Sequence, residues 1–197
     1  MTIHRMKLKD LDTEYIQRLK SEQKDGDAEV AIWVSGSKNM MPDDEFWSII
    51  STLDWTKDNI NEVIEPAVHY LAKLPVKKIK AFENSLSKKL YQLDGLEYAK
   101  NMGENSYKGE DQPFSSDLFL YARCAVIGEG KNVFNRVLKQ PKTMLKNQMF
   151  ERLLSIASLA YKRKTGKQFD YIPAYIYETF ANAEGWKSKG LLENIFN

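Results

Sequence analysis

The sequence predicts a mainly α protein: a bundle of about six or seven helices with a small N-terminal β-α-β element, α+β overall. Apolar residues recur at helical spacing through most of the 197 residues. The first 34 residues differ, because two short stretches there alternate apolar and polar side chains. We therefore predict an N-terminal element over residues 1–34 and a helical domain over residues 42–197.

The N-terminal element is predicted to contain strands over residues 3–8 and 28–34, with a helix around residues 11–19 between them. Two strands joined by a helix should lie parallel with a right-handed crossover. Two strands alone cannot bury a face, so the element needs further cover. A homodimer through these strands, or a partner strand added at their edge, would supply it. The small polar residues 35–39 are typical of a linker.

The helical domain is predicted to begin at Pro42, since proline suits the first turn and the three carboxylates after it favour a helix N-terminus. Apolar periodicity then predicts helices over residues 46–53, 60–71 and 76–93. Pro66 should kink the second of these or begin a new helix. Glycine and proline among polar residues predict an exposed loop over residues 103–115.

A helix over residues 116–127 is apolar almost all round, which is typical of a buried central helix. A short helix over residues 133–138 follows, then a long helix between Pro141 and Gly166 and a last helix from near Pro173. The one cysteine of the chain, Cys124, lies in the apolar helix and is expected to pack as a small apolar side chain.

The charge is unevenly distributed, although the formal net charge is only +2. Residues 94–117 contain six acids and two lysines, and residues 131–167 contain ten bases and one acid. Each stretch is either a solvated helix face or a binding surface. The first residues lack the apolar core of a signal peptide, and nowhere do about 18 apolar residues run together. We expect a cytoplasmic protein without a membrane partner.

Residue types that carry catalysis are scarce. The two histidines, His4 and His69, fall in different predicted elements, so neither a catalytic triad nor a zinc site is expected. No glycine-rich phosphate loop follows a strand. We therefore predict a protein with no catalytic residue, no metal site and no cofactor.

Arg123 is the one charged residue of the apolar helix after its first turn, and burying a guanidinium is costly unless acceptors receive its donors. One interpretation is a structural ion pair, with Glu151 as the candidate partner. The other places Arg123 at the floor of an anion-binding pocket. Trp47 and Trp55 are also open to two interpretations, either core residues or exposed anchors for a partner, since interfaces favour Trp.

Three motifs carry a family resemblance: residues 44–50 (Asp-Glu-Phe-Trp-Ser-Ile-Ile), residues 74–82 (Leu-Pro-Val-Lys-Lys-Ile-Lys-Ala-Phe), and residues 119–123 followed by Gly130, Phe134 and Pro141. Through them the chain resembles a bacterial family catalogued as domain of unknown function 4240, over about residues 42–144, with an extension to 167 left open. The resemblance implies a helical domain of bacterial cytoplasmic proteins with no established activity. Some relatives look like immunity proteins of toxin systems.

Two functional hypotheses follow. The first is a non-catalytic binding protein, an immunity protein or antitoxin that neutralises a toxin by occluding its active site. Its partner-binding residues would be Glu104, Tyr107, Glu110, Asp111 and Asp117 of the loop, which would face a basic cleft, together with Trp47 and Trp55. The alternative is a regulator that contacts nucleic acid through residues 131–167, although the chain contains no recognised docking motif.

Overall fold

The computed structural model describes residues 12–22 and 39–187. The chain divides into two units, residues 1–37 and 38–197. The first contains helix α1, Thr13–Glu22. The second contains α2 (Asp43–Ile50), α3 (Ile60–Lys73), α4 (Val76–Gln92), α5 (Leu96–Ala99), α6 (Ser116–Gly128), α7 (Lys131–Lys139), α8 (Ile156–Thr165) and α9 (Ala183–Trp186), with 3-10 helices at Pro141–Thr143 and Glu151–Ser155.

The mainly helical prediction is confirmed, but the α+β assignment is wrong. Within residues 12–22 and 39–187 every regular element is a helix and no β-strand occurs. The predicted strands over residues 3–8 and 28–34, and with them the predicted dimer surface, lie outside the described residues. An alternating run of six or seven residues is a weak signal for a strand, because two such strands without a third cannot bury a face.

The core of the second unit forms around α4 and α6. Helix α4 packs against both α6 and α8, and α8 also lies against α3. Phe46 of α2 stacks on Phe82 of α4, with ring centroids 5.0 Å apart. The largest apolar side chains with almost no exposed surface are Phe46, Phe82, Phe119, Ile49, Ile50, Ile64, Leu71, Ile79, Leu86, Leu90 and Leu93. These residues come from four helices and, for Leu93, from the residue that follows α4, so the core depends on their simultaneous packing.

Pro66 lies inside one continuous helix, α3, and begins no new one. The helix starts at a side-chain cap, because Asn59 accepts a hydrogen bond from the Asn61 N–H at 2.9 Å. Apolar residues on both sides of the proline, from Val63 to Leu71, are buried on one face. Their burial offsets the roughly 3 kcal/mol that a proline costs in a helix interior.

Helix α6 is buried over nine of its thirteen residues, as its sequence predicts. Its start is fixed by Ser115, whose hydroxyl accepts a hydrogen bond from the Leu118 N–H at 3.2 Å. At about 1.5 Å per residue the helix is roughly 20 Å long. Among the described residues no helix is both long and apolar enough to span a membrane.

The long helix predicted after Pro141 is wrong. A 3-10 turn at Pro141–Thr143 is followed by irregular backbone, and α8 begins only at Ile156. Asn147 has a φ of +55°, outside the helical region, and its N–H donates to the Met102 carbonyl at 2.9 Å. Because this long-range hydrogen bond takes the N–H that a helix would need, the helix cannot pass through Asn147.

The helix predicted from near Pro173 is also wrong, because residues 167–182 contain no helix. The backbone N–H groups of Ala174, Tyr175, Phe180 and Asn182 donate to side chains on α4 and on the turn that follows it. Donors committed to those side chains cannot form helical i to i−4 bonds. We call residues 171–186 the C-terminal segment.

We expect Ser115→Ala to lower the free energy of unfolding by about 1 kcal/mol, because the first turn of α6 loses its side-chain cap. Urea denaturation followed by circular dichroism measures this. Ser48→Ala is the matched control: that serine lies inside α2, is exposed and caps no N-terminus, so its effect should stay within about 0.5 kcal/mol. Equal losses in the two variants would contradict the capping role.

Candidate functional site

A buried arginine and a buried aspartate lie between α4, α6 and the C-terminal segment. Arg123 Nη1 lies 4.0 Å from Asp94 Oδ1, and both side chains are fully buried. The same Nη1 donates to the Leu90 carbonyl at 3.0 Å, and Nη2 donates to the Thr179 hydroxyl at 2.9 Å. The carboxylate paired with Arg123 is therefore Asp94 and not Glu151, whose side chain is exposed.

Asp94 also receives donors from the C-terminal segment. Its Oδ1 accepts the Phe180 N–H at 3.2 Å and the Trp186 indole N–H at 2.8 Å, and its Oδ2 accepts the Asn182 N–H at 2.8 Å. Hydrogen bonds to a carboxylate are stronger than those between neutral groups. Asp94 thereby joins the segment to the end of α4.

The remaining contacts of Arg123 are structural in kind. Its guanidinium carbon lies 4.8 Å from the centroid of the Phe119 ring, and the Thr179 hydroxyl donates a hydrogen bond to the Ser116 carbonyl at 2.7 Å. Among the described side-chain nitrogen and oxygen atoms that have essentially no exposed surface, Arg123 Nε alone has no hydrogen-bond partner. Burial lowers the pKa of Arg123, and the neighbouring Asp94 opposes that shift. The geometry therefore favours the ion-pair interpretation over a pocket for an external anion.

The first residues of the C-terminal segment lie on polar residues of α4. Asn84 Oδ1 accepts both the Tyr171 hydroxyl at 3.1 Å and the Ala174 N–H at 2.9 Å, and Ser87 Oγ accepts the Tyr175 N–H at 3.4 Å. Near the end of the segment, the backbone of Gly185 comes very close to the turn after α4. A Cβ added to Gly95 would lie 2.7 Å from the Gly185 carbonyl oxygen, so glycine is needed for this approach.

Glu83 is buried on α4 beside this segment, and it accepts no hydrogen bond from the described residues. Burial raises the pKa of Glu83 from 4.5 to about 7. Burial is the cause of this shift, and no positive charge among the described residues opposes it. Two neighbouring groups are shifted in the same direction: burial raises the pKa of the Cys124 thiol to about 12, and burial together with Glu83 raises the pKa of the Tyr177 phenol. The site therefore prefers the protonated carboxyl.

A cluster of aromatic rings lies where the C-terminal segment meets the loop before α6. Phe180 packs on Trp186 with centroids 4.4 Å apart, and Phe114 lies 6.2 Å from Phe180 and 5.9 Å from Phe119. Tyr107 is half-buried against Phe114 at 5.3 Å and Trp186 at 5.7 Å. Phe180 itself is 52% exposed and has a φ of +74°, a conformation that residues other than glycine rarely adopt.

Three exposed carboxylates of the predicted loop and one in the first turn of α6 form no ion pair with a described residue: Glu104, Glu110 and Asp111 of the loop, and Asp117 of α6. The loop is held by long-range bonds, since the Tyr107 N–H donates to the Ala99 carbonyl at 2.9 Å and the Glu104 N–H to Asn147 Oδ1 at 2.8 Å. We call Phe114, Phe180 and these four carboxylates the aromatic–acidic face.

The two tryptophans predicted to bind a partner lie elsewhere. Trp47 is buried, donates to Asp43 at 3.0 Å and packs on Phe134. Trp55 is 48% exposed and packs on Phe150 near Gly128, at the C-terminal end of α6. Asp117 lies at the opposite end of that helix, about 16 Å away by helical rise. Trp55 is therefore not part of the aromatic–acidic face.

Several bases of residues 131–167 form bonds within the fold. Lys131 pairs with Asp43 at 3.3 Å and Asp44 at 2.8 Å. Arg163 forms a bidentate ion pair with Glu65 at 2.6 and 2.9 Å. Lys146 and Lys164 donate to backbone carbonyls of Asn101 and Ala72. These four side chains are partly committed to the fold, which reduces the cationic surface left for nucleic acid.

Asp94, Glu83, Asn84 and Thr179 were not predicted from the sequence as site residues. Asp94 precedes Gly95, so the pair has the composition of an ordinary turn. The spacing could have indicated that Glu83 is buried, because it is seven residues before Leu90 and therefore lies beside the apolar stripe of α4. Among the described residues no group of three or more His, Cys, Asp and Glu side chains could hold a metal ion.

We expect Arg123→Met to lower the free energy of unfolding by about 3–5 kcal/mol, because Asp94 would be left as a buried charge without its partner. Urea denaturation measures the loss. Glu151→Gln should change the same quantity by less than about 0.5 kcal/mol, since that side chain is exposed. Comparable losses in both variants would indicate that Glu151 also supports the arginine.

Glu83 should make the protein less stable as the pH rises. Its pKa is higher in the folded protein than in the unfolded chain, so the folded state binds the proton more tightly. Its unfavourable contribution is absent below about pH 4.5 and grows to about 3 kcal/mol above pH 7. Relative to wild type, Glu83→Gln should therefore gain stability between pH 5 and 8 in urea titrations. A constant difference across that range would contradict a raised pKa.

The sequence model of a family described as a protein of unknown function (DUF4240) matches residues 41–163. No curated protein and no solved structure matches the chain. The matched range contains Glu83, Asn84, Asp94 and Arg123, and it ends before the C-terminal segment begins. Because the match covers well over half of the 197 residues, the chain belongs to the DUF4240 family.

Proposed function

We propose that this protein binds another protein through the aromatic–acidic face. The observation that carries the proposal is Phe180, an aromatic side chain that is 52% exposed although its backbone has a φ of +74°. Residues held in sparsely populated backbone conformations cost about 1–3 kcal/mol each and concentrate at functional sites. Glycine or asparagine would form the same turn at lower cost and without an exposed ring.

Phe180 is held in place by the buried site beneath it. Its N–H donates to Asp94, and Thr179 before it accepts a hydrogen bond from Arg123. Its ring rests on Trp186 at 4.4 Å. A supported ring loses little conformational freedom on binding, and aromatic side chains of this kind supply much of the affinity at protein interfaces.

The unpaired carboxylates before and at the start of α6 favour a basic partner. Asp111 and Asp117 lie three residues before and three after Phe114, which contacts Phe180, and the loop also carries Glu104 and Glu110. By contrast, the carboxylates at the start of α2 are paired with Lys78, Lys89 and Lys131. The carboxylates of the loop keep their charge available, which speeds association with a cationic surface and disfavours acidic partners.

The specific form of this proposal is an immunity protein. A toxin that acts on nucleic acid has a basic cleft, because it must receive phosphates. An acidic loop with an aromatic anchor complements such a cleft and would occlude its active site. This form rests on the charge and the aromatic side chains of the face.

A pull-down from the source organism, followed by co-expression with the recovered protein, tests the proposal. With that recovered protein as the probe, Phe180→Ala should weaken binding by tenfold or more. Glu110→Lys with Asp111→Lys should slow association and reduce its dependence on salt. Trp55→Ala is the matched control, since it removes an aromatic ring of similar exposure from another surface and should change the affinity less than twofold.

Two results would contradict the proposal. One is a loss of affinity in Trp55→Ala as large as that in Phe180→Ala. The other is recovery of no polypeptide at all. Relief of toxicity on co-expression separates the immunity protein from other binding proteins, because a partner that is not toxic leaves only the general form. Recovery of nucleic acid with the wild-type protein, lost in Lys139→Glu but not in Phe180→Ala, would instead support the regulator.

A further inference from the structure

We propose that the polar side of α4, together with Asp94 and Arg123, is a groove that binds a polypeptide segment of mostly irregular backbone, and that the C-terminal segment is its built-in occupant. The groove of one copy can also bind the same segment of a second copy of this chain. This inference goes beyond the proposed function, because it concerns the surface under the segment and not the aromatic–acidic face.

The groove recognises the backbone of its occupant. Side chains of α4 and its following turn accept the N–H groups of Ala174, Tyr175, Phe180 and Asn182. These four N–H groups form no backbone hydrogen bond within the segment, so side chains of the body must supply their acceptors. Asn84, Ser87 and Asp94 are spaced over about three turns of helix and do so.

Side chains of the segment fit specific places in the groove. The Tyr171 hydroxyl donates to Asn84 at 3.1 Å, and the Trp186 indole donates to Asp94 at 2.8 Å. Between them Thr179 both accepts from Arg123 at 2.9 Å and donates to the Ser116 carbonyl at 2.7 Å. Backbone bonds supply affinity and such side-chain contacts supply specificity, as in other modes of peptide recognition.

Polar side chains contribute much of this contact, as they do at interfaces. The residues of the groove include the polar Glu83, Asn84, Ser87 and Asp94, all of which are buried under the present arrangement. Most of residues 171–178 are only half-buried. When the segment leaves, water can hydrate these polar groups, so the free groove exposes less apolar surface than an opened core would.

The receptor and its occupant also come from different parts of the chain. The match to the family covers residues 41–163 and includes every groove residue named above. The C-terminal segment begins eight residues beyond that range. Between them, Gly166, Lys167 and Gln168 are exposed, so the connection can be cut without opening the helical body.

The experiment inserts a site for a sequence-specific protease between Lys167 and Gln168 of the full chain. After cleavage, a fluorescein-labelled peptide of residues 168–187 is added in excess, and its anisotropy and co-elution are followed. Circular dichroism reports whether the helical body stays folded. We expect saturable binding of the peptide as it replaces the cleaved fragment, with no loss of helical signal.

Three variants make the result specific. Asp94→Asn in the body should weaken peptide binding by tenfold or more, because three donors of the peptide lose a charged acceptor. Thr179→Val in the peptide should weaken it by fivefold or more while the body remains unchanged, which keeps the test valid if Asp94→Asn unfolds. Glu184→Gln in the peptide is the matched control and should change affinity less than twofold, since that exposed side chain pairs only with Lys187 among the described residues.

Any of three outcomes would overturn the proposal. The cleaved fragment could remain bound without exchange while the body keeps its helical signal. The body could lose its helices as the fragment leaves, which would make the segment part of the core. A peptide of the same composition in scrambled order could bind equally well. None of these measurements involves the external partner, so they succeed or fail independently of the proposed function.

Discussion

The buried pair of Arg123 and Asp94 is the interaction on which the arrangement of the second unit depends. Neither charge could be buried alone, because removing an ion from water is expensive unless charges and hydrogen bonds replace the water. Arg123 reaches the end of α4 through the Leu90 carbonyl and the C-terminal segment through Thr179. Asp94 completes the connection by accepting donors from Phe180, Asn182 and Trp186. One pair of charges thus joins two helices to the C-terminal segment, whose backbone is irregular except for α9.

Much of the helical body could be predicted from sequence because periodic burial decides it. The stripe through α3 continues across Pro66, and α6 is buried almost all round. These features are local, and a pattern of apolar residues is enough to detect them. The buried state of Arg123 could be expected too, since a guanidinium in an apolar helix must find acceptors.

What could not be predicted depends on partners distant in sequence. Arg123 pairs with a residue 29 positions before it, and nothing in the composition of Asp94-Gly95 separates a buried acceptor from a surface turn. The prediction of the last helix was wrong for the same reason. Side chains 86–90 residues earlier in the chain accept hydrogen bonds from the N–H groups of Ala174, Tyr175, Phe180 and Asn182. The pattern Tyr175, Ile176, Thr179 and Phe180 has helical spacing, but hydrogen bonding to the body outweighed it.

The reactivity of Cys124 can report how often the core around α6 becomes exposed to solvent. It is the one cysteine of the chain, it lies on α6 next to Arg123, and its thiol is fully buried with a pKa raised to about 12. A thiol reagent attacks only a thiolate that it can reach, so modification of the native protein must wait until α6 is uncovered. The rate at which a chromogenic disulfide consumes that thiol therefore measures how often the centre of the molecule is exposed, without any label being introduced.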